Sequence, residues 1–183
     1  MKRACVILAD GFEEVEAITP IDYLRRAGIE VVVAGLGTRQ VTGAHDIRVD
    51  CDVLLHQCGT GFDAVVVPGG LKGTAAIAAD SYAVAFIRSH FETGRVVAAI
   101  CAAPVNVLRN ACDILEGKSF TGHPDTEAAL EGETFAPGRV VVDGNLVTSR
   151  AAGTAGEFAA AIVARLLGEA QAQALARKIL LER

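Results

Sequence analysis

The sequence predicts one α/β domain, residues 1–183, built on a mostly parallel sheet. Three observations predict it: short continuous apolar runs rich in branched residues, stretches of helical period between them, and glycine or proline where one gives way to the other. A strand covered on both faces reads as an unbroken apolar run rather than an alternating one. These runs therefore imply helices on both sides of the sheet.

Residues 4–9 (ACVILA) are the first such run, and Asp10, Gly11 and Phe12 make the turn that follows. Residues 13–27 have helical spacing, with Val15, Ile18, Ile21, Tyr23 and Leu24 on or near one stripe and Gly28 at the C′ position. Pro20 is expected to kink that helix or shift its start. Residues 30–36 (EVVVAGL) are the next buried strand and complete a βαβ unit. Residues 40–55 alternate loosely around Gly43 and Ala44, as a hairpin or an excursion from the main sheet would.

After the glycine-rich loop at 59–61, residues 63–68 (DAVVVP) form a third buried strand that runs into Gly69, Gly70 and an alanine-rich helical stretch. Residues 81–93 read as an amphipathic helix stopped by Gly94, with His90 on its surface among charged neighbours. Residues 96–100 form a further strand, broken at Cys101, and Pro104 then opens a helix. A short strand at 119–121 and a short helix at 126–130 flank His123 and Pro124. The β-rich runs around Asp143 and Gly144 within residues 139–148 read as a hairpin. Thr154 and Glu157 form a capping box before an apolar-faced helix, and residues 169–183 continue as a helical tail.

Composition narrows the function. The chain carries 17 basic and 22 acidic residues, a formal charge of −5, which excludes general binding to a phosphate backbone. The first apolar run ends at Asp10, too soon for a signal peptide, and no stretch approaches the ~20 apolar residues of a membrane span. A cytoplasmic protein with no membrane contact is expected. Five cysteines, an odd number with no C-x-x-C pair, indicate neither a disulfide framework nor a zinc knuckle.

In open parallel sheets ligands bind beyond the carboxyl ends of the strands. Three loops leave such ends: 10–16, 68–73 and the turn at Cys101. A strand that stops on a cysteine between small residues, followed by a helix start, suits a nucleophile elbow. Backbone N–H groups there would favour the thiolate and lower its pKa. A buried core cysteine fits the same stretch, and the residues leave both readings open. Gly69 and Gly70 fit an oxyanion site completed by the Ala102 N–H, or simply a tight turn. The loop lacks the Gly-Lys-Ser/Thr ending of a phosphate cradle, and the chain holds no complete G-x-G-x-x-G. Glu13 and Glu14 read as carboxylates that stabilise a helix dipole. Glu16, one step further, can point inward as a half-buried acid with a raised pKa. Of the four histidines, His123 is the one that the topology brings toward a strand end.

Together the residues GFEEVEAITPIDYLRRAGIEVVVAG, DAVVVPGG, AAICAAP, the His-Pro pair and VTSRAAGTAGEFAAAIV resemble the ThiJ/PfpI superfamily, in the branch of the parkinsonism-associated deglycase and bacterial YajL. The resemblance runs nearly end to end. It implies a flavodoxin-like three-layer sandwich of the kind shared with class I glutamine amidotransferases, and a homodimer. It places the nucleophile at Cys101, its acidic partner at Glu16, the family histidine at His123, and the amide-bearing positions at Gly69, Gly70 and Ala102. Asp22 and Arg26 are carried over as groups behind the site.

Two positions depart from that branch. His45 stands where the parkinsonism-associated member has an arginine, and Asp50, with Cys51 beside it, stands at that member's second reactive cysteine. The resemblance implies a cysteine enzyme without metal or cofactor that acts on small reactive aldehydes or on glycated protein or nucleotide groups. Such an enzyme is a glutathione-independent glyoxalase or a deglycase, of the hydrolase or lyase class. A redox-responsive chaperone or stress sensor working through Cys101 is the alternative, and a PfpI-type protease or amidase a third.

Overall fold

The structure is a computed structural model that describes residues 1–130 and 134–181. Its centre is a seven-stranded sheet. In chain order the strands are β1 (Arg3–Leu8), β2 (Glu30–Gly35), β5 (Val53–Leu54), β6 (Ala64–Val67), β7 (Val96–Ile100), β8 (Val140–Asp143) and β9 (Leu146–Ser149). They lie in the spatial order β5-β2-β1-β6-β7-β9-β8. All pairings are parallel except the β8–β9 hairpin, which closes one edge antiparallel. A separate two-stranded hairpin, β3 (Gln40–Thr42) with β4 (Arg48–Asp50), makes the expected excursion.

Side-chain alternation along each strand divides the core in two. Ala4, Val6 and Leu8 of β1, Ala64 and Val66 of β6, and Val96, Ala98 and Ile100 of β7 face one layer. That layer is formed by α1 (Glu14–Arg26), α4 (Ala155–Leu167) and α5 (Glu169–Lys178), with Leu24, Phe158 and Leu175 buried in it. Cys5 and Ile7, Val65 and Val67, and Val97 and Ala99 face the other layer, formed by α2 (Leu71–Ala79), α3 (Ser81–Glu92) and the π-helical turn Pro104–Arg109. The alternation, invisible in unbroken apolar runs, appears once both faces are covered.

Pro20 lies inside α1 and does not shift its start. Four local expectations are corrected. His90 is buried, not on the surface, because Ala83, Phe86, Ile87 and His90 form one helical stripe while the charged Arg88 and Glu92 lie off it. Its Nδ1 donates to the Phe86 carbonyl at 2.7 Å and its ring packs 4.4 Å from the Phe86 centroid.

Residues 119–121 are not a strand. The Ser119 N–H goes to Asp143 and the Thr121 N–H to the Thr148 hydroxyl, so side chains take the place of a ladder. The capping box does not form. The Thr154 hydroxyl turns back to Ser149 and Ala151, and Glu157 pairs with Arg139. The turn after Cys101 is π-helical, with N–H groups of Asn110 and Cys112 reaching back five residues to the carbonyls of Val105 and Val107. The predicted tail is helical through Lys178, and residues 182 and 183 lie outside the described residues.

Chain order leaves β1 for β2 on one side and later returns to β6 on the other. The sheet changes direction between β1 and β6, and the parallel run sets the carboxyl ends of β1, β6, β7 and β9 along the same edge. Among the described residues no helix is long and apolar enough to cross a membrane.

Candidate active site

Cys101 is the first residue past β7, at φ +66°, in the left-handed region that costs a non-glycine residue ~1–3 kcal/mol. Its neighbours pin that conformation from both sides. The Cys101 N–H donates to the Ser149 carbonyl of β9 at 3.0 Å, and its own carbonyl accepts the His123 N–H at 2.8 Å. The expected elbow is present, and its half-buried side chain packs against the edge of the α1/α4 core layer.

Glu16, on the first turn of α1, is 1% exposed. Its Oε2 accepts the Gly69 N–H at 3.0 Å, the Ala152 N–H also reaches the carboxylate, and the Cys101 thiol donates to it. A carboxyl taken out of water favours its neutral form, and burial pushes Glu16 up to about 7. The Gly70 and Ala102 amides point at the Cys101 sulfur. They do not produce the lowered thiol pKa expected from the sequence. Burial, and then the adjacent Glu16 charge, push Cys101 up to about 12. Two negative charges in hydrogen-bond contact are mutually unfavourable, so between about 7 and about 12 the pair holds one proton.

The glycines divide the work differently from the expected oxyanion site. The Gly69 amide serves Glu16, which leaves Gly70 with Ala102 at the sulfur. Gly70 is held by Thr74, whose hydroxyl donates to the Gly70 carbonyl at 2.9 Å and accepts from Asn106 Nδ2 at 3.0 Å. The start of α2 is thereby tied to the turn that follows the elbow.

The His123 ring Nδ1 accepts the Asp125 N–H at 3.2 Å, so the neutral ring carries its proton on Nε2. Its backbone, not its ring, makes the hydrogen bond to Cys101. Asp22 and Arg26 pair with each other on an exposed face of α1, not behind the thiol. Cys51 is buried, and burial raises its pKa to about 11.

Two contributions escaped the sequence reading. Ala152 supplies an amide to Glu16 from the loop after β9, a strand end hidden because 139–148 read only as a hairpin. Glu14 is 3% exposed and does more than stabilise a dipole. Its carboxylate accepts the His45 N–H at 2.6 Å, the Ile47 N–H at 3.4 Å and the His45 ring at 2.8 Å. The hydrogen bond to Glu14, then the Glu13 charge, raise the His45 pKa.

This clasp seats the hairpin on the first loop, where the Ala44 N–H meets the Phe12 carbonyl at 2.8 Å. Glu13, Glu14 and His45 are the one group of metal-ligand side chains that gathers among the described residues, and ion pairing accounts for it. Glu14→Ala is expected to cost ~1–3 kcal/mol, with amide exchange faster at 43–47 than in the central strands. Denaturant titration and hydrogen exchange measure both.

The site's parts lie on the same segments that carry the sequence resemblance. Residues 2–165 match the DJ-1/PfpI family. The chain belongs to that family. It is similar to protein dj-1beta of Drosophila melanogaster, 42% identical and covering 98% of this chain and 97% of that one. It is 33% identical to a Pyrococcus abyssi protein named as a deglycase, over 82% of this chain and 91% of the relative. Among solved structures it is similar to oxidized Toxoplasma gondii DJ-1, at a TM-score of 0.96 and 31% identity over all of both chains. The flavodoxin-like sandwich expected from the sequence is thus the DJ-1/PfpI fold.

Proposed function

We propose that this DJ-1/PfpI protein is a cysteine enzyme for small reactive carbonyls that converts methylglyoxal to lactate without glutathione, metal or other cofactor. The observation that carries the reading is the shared proton: a strained, half-buried Cys101 thiol donates to a Glu16 carboxyl whose pKa lies near neutrality. A base with that pKa takes a proton at neutral pH and returns it within the same turnover.

Glu16 removes the thiol proton as the sulfur attacks the aldehyde carbon. The carbonyl π electrons pass to oxygen, and the Gly70 and Ala102 amides stabilise the hemithioacetal oxyanion. Glu16 and His123 then move a proton from that carbon to the neighbouring one, which turns the hemithioacetal into a thioester and the ketone into an alcohol. Water cleaves the thioester, releasing lactate and restoring the thiol. A hemithioacetal or aminocarbinol of a protein or nucleotide enters the same path once its C–S or C–N bond breaks, which returns the thiol or amine with its proton and frees the aldehyde that Cys101 attacks; the net reaction is a deglycation, in line with the name of the Pyrococcus relative.

The assay is lactate formation from methylglyoxal with no added thiol or metal. Native turnover that disappears in Cys101→Ala is the expected result. Full turnover in that variant overturns the assignment.

A second reading rests on the same contact and on the oxidized state of the Toxoplasma relative. Protonated Glu16 can donate to a Cys101 sulfinate, making the site a sensor of peroxide. Selective addition of two oxygens at Cys101, in a native protein without carbonyl turnover, favours it. An unmodified Cys101 after mild peroxide excludes it.

We also infer a homodimer in the cytoplasm. Val15 and Ile18, 49% and 41% exposed, share a stripe of α1 with Asp22, and neither side chain has a covering layer within the chain. The native protein is expected to stay dimeric at micromolar concentration in light scattering, and Ile18→Glu to shift it to monomer. A monomeric native protein overturns the inference.

A further inference from the structure

The two amides at the Cys101 sulfur belong to different elements, and a chain of hydrogen bonds joins them from behind. The Gly69–Gly70 peptide lies alongside the sulfur, since a Cβ on Gly69 would stand 3.1 Å from it. Ala102 follows Cys101 directly. Each amide shares a rigid peptide plane with a carbonyl that is itself held. The Gly69 carbonyl accepts the Glu13 N–H at 3.0 Å, and the Cys101 carbonyl accepts the His123 N–H at 2.8 Å. Those bonds orient the two planes one by one and do not relate one to the other.

That relation runs through Thr74 of α2 and Asn106 of the π-helical turn. The buried Thr74 hydroxyl donates to the Gly70 carbonyl at 2.9 Å and shares its hydrogen with the Leu71 carbonyl at 3.2 Å. Asn106 Nδ2 donates to that hydroxyl at 3.0 Å, and the Asn106 N–H donates to the Ala102 carbonyl at 2.9 Å. A threonine that bonds back within its own helix is ordinary. Asn106 comes from another element. Its amide occupies an acceptor site of the hydroxyl, which commits the hydroxyl hydrogen to the α2 carbonyls and strengthens both bonds in series.

We propose that the Thr74 and Asn106 side chains form a strut that fixes the Gly70 and Ala102 amides relative to each other at the Cys101 sulfur, making both side chains positioning residues for the carbonyl reaction.

The joint that needs fixing is Gly70. It holds φ +93°, and with no Cβ little resists rotation between its N–H and its carbonyl. The Glu13 bond holds one side of that rotation, and Thr74 holds the other. The Thr74 N–H also reaches the Gly70 carbonyl, at 2.9 Å, so cutting the strut loosens the joint without releasing it. The loss should therefore be smaller than the ~10²–10³-fold of deleting an oxyanion donor outright. As a device for the oxyanion, the strut rests on the carbonyl reading above. The same amides also face the resting sulfur, so thiol reactivity reports on it without any carbonyl turnover.

The experiment compares native protein with Thr74→Val, Thr74→Ser, Asn106→Leu and the double variant of Thr74→Val with Asn106→Leu. Valine keeps the shape of threonine without the hydroxyl, and serine keeps the hydroxyl. Lactate formation is followed across methylglyoxal concentrations, and iodoacetamide labelling of Cys101 at pH 8 is followed by peptide mass. Thr74→Val and Asn106→Leu are each expected to lower kcat ~10-fold while KM stays within about twofold, because the amides serve the transition state more than the substrate. Labelling is expected to slow by ~3-fold in both, as the thiolate loses well-placed donors. Thr74→Ser is expected to restore both rates. The double variant is expected to be no worse than the poorer single one, because one break opens the chain.

Native kcat in the two single variants overturns the proposal. So does a loss that serine fails to restore, which assigns the effect to packing, or losses that multiply in the double variant, which make the two side chains independent. A native protein that forms no lactate fails the carbonyl reading instead. Labelling then decides the strut, and a native labelling rate in Thr74→Val overturns it.

Discussion

Glu16→Gln is expected to make Cys101 react faster with an alkylating agent and, at the same time, to lower carbonyl turnover by ~10²–10⁴-fold. The two effects oppose each other because Glu16 acts on the thiol in two ways. As a charge it opposes the thiolate, being among the causes that push Cys101 up to about 12. As a base it receives the thiol proton during attack. Glutamine removes the charge and cannot take the proton. Iodoacetamide modification at pH 8, followed by intact mass, reads the first effect, and lactate formation reads the second. Slower alkylation together with lost turnover would show only a damaged site and would overturn the role of Glu16 as base.

The pH dependence carries the same argument. Glu16 must be ionised to accept the proton, so native kcat/KM is expected to rise through about pH 7 and then level. Stability runs the other way. A carboxyl whose folded pKa is raised favours the folded state fully below its unfolded pKa of ~4.3, and that contribution is lost as pH rises through about 7. At pH 8 the native fold therefore carries a buried charge that Glu16→Gln removes. The variant is expected to gain up to ~3 kcal/mol in denaturant titration at pH 8, and only ~1 kcal/mol at pH 5, where the native carboxyl is protonated but the unfolded one already largely ionised. Equal gains at both values would assign the change to packing.

The strands and most helices were legible in the sequence because a doubly covered parallel sheet writes itself as unbroken apolar runs. The elbow was legible because a strand that ends on Cys101 before Pro104 admits few geometries. What escaped depended on partners far along the chain. His90 looked exposed from Arg88 and Glu92, yet its stripe belongs to Phe86. Glu14 looked like a dipole carboxylate until the hairpin brought the amides of His45 and Ile47 onto it. The thiol pKa lies opposite to what the turn alone implies, because nearby amides can be read from a turn, whereas desolvation and an adjacent charge depend on how α1 packs over the elbow.

Gly69→Ala and Gly70→Ala are expected to fail in different ways, although the residues are adjacent. A Cβ on Gly69 would stand 2.3 Å from Glu16 Oε2, 2.6 Å from the Cys101 Cβ and 3.1 Å from its sulfur. Its contacts are the two reacting side chains themselves. The Glu16 carboxylate can rotate away, but the Cys101 Cβ is fixed to its backbone, so the elbow itself must shift, with a loss of ~1–3 kcal/mol from overpacking. Turnover is expected to fall by at least ~10²-fold, because proton transfer fails once acid and thiol are displaced by about an ångström.

Gly70 differs in kind. It holds φ +93°, and its Cβ would lie 2.2 Å from the Gly11 carbonyl oxygen and 2.8 Å from the Glu13 nitrogen. Backbone cannot rotate away as a side chain does. The chain must either leave the left-handed region or separate the ends of β1 and β6, where the Glu13 N–H meets the Gly69 carbonyl at 3.0 Å. Gly70→Ala is therefore expected to lose more stability than its neighbour, by ~2–4 kcal/mol, since backbone strain adds to the clash. Denaturant midpoints and lactate formation on the two variants check the pair. A Gly69→Ala protein with native turnover would mean that Glu16 and Cys101 need not touch for the chemistry, and the shared proton would no longer explain it.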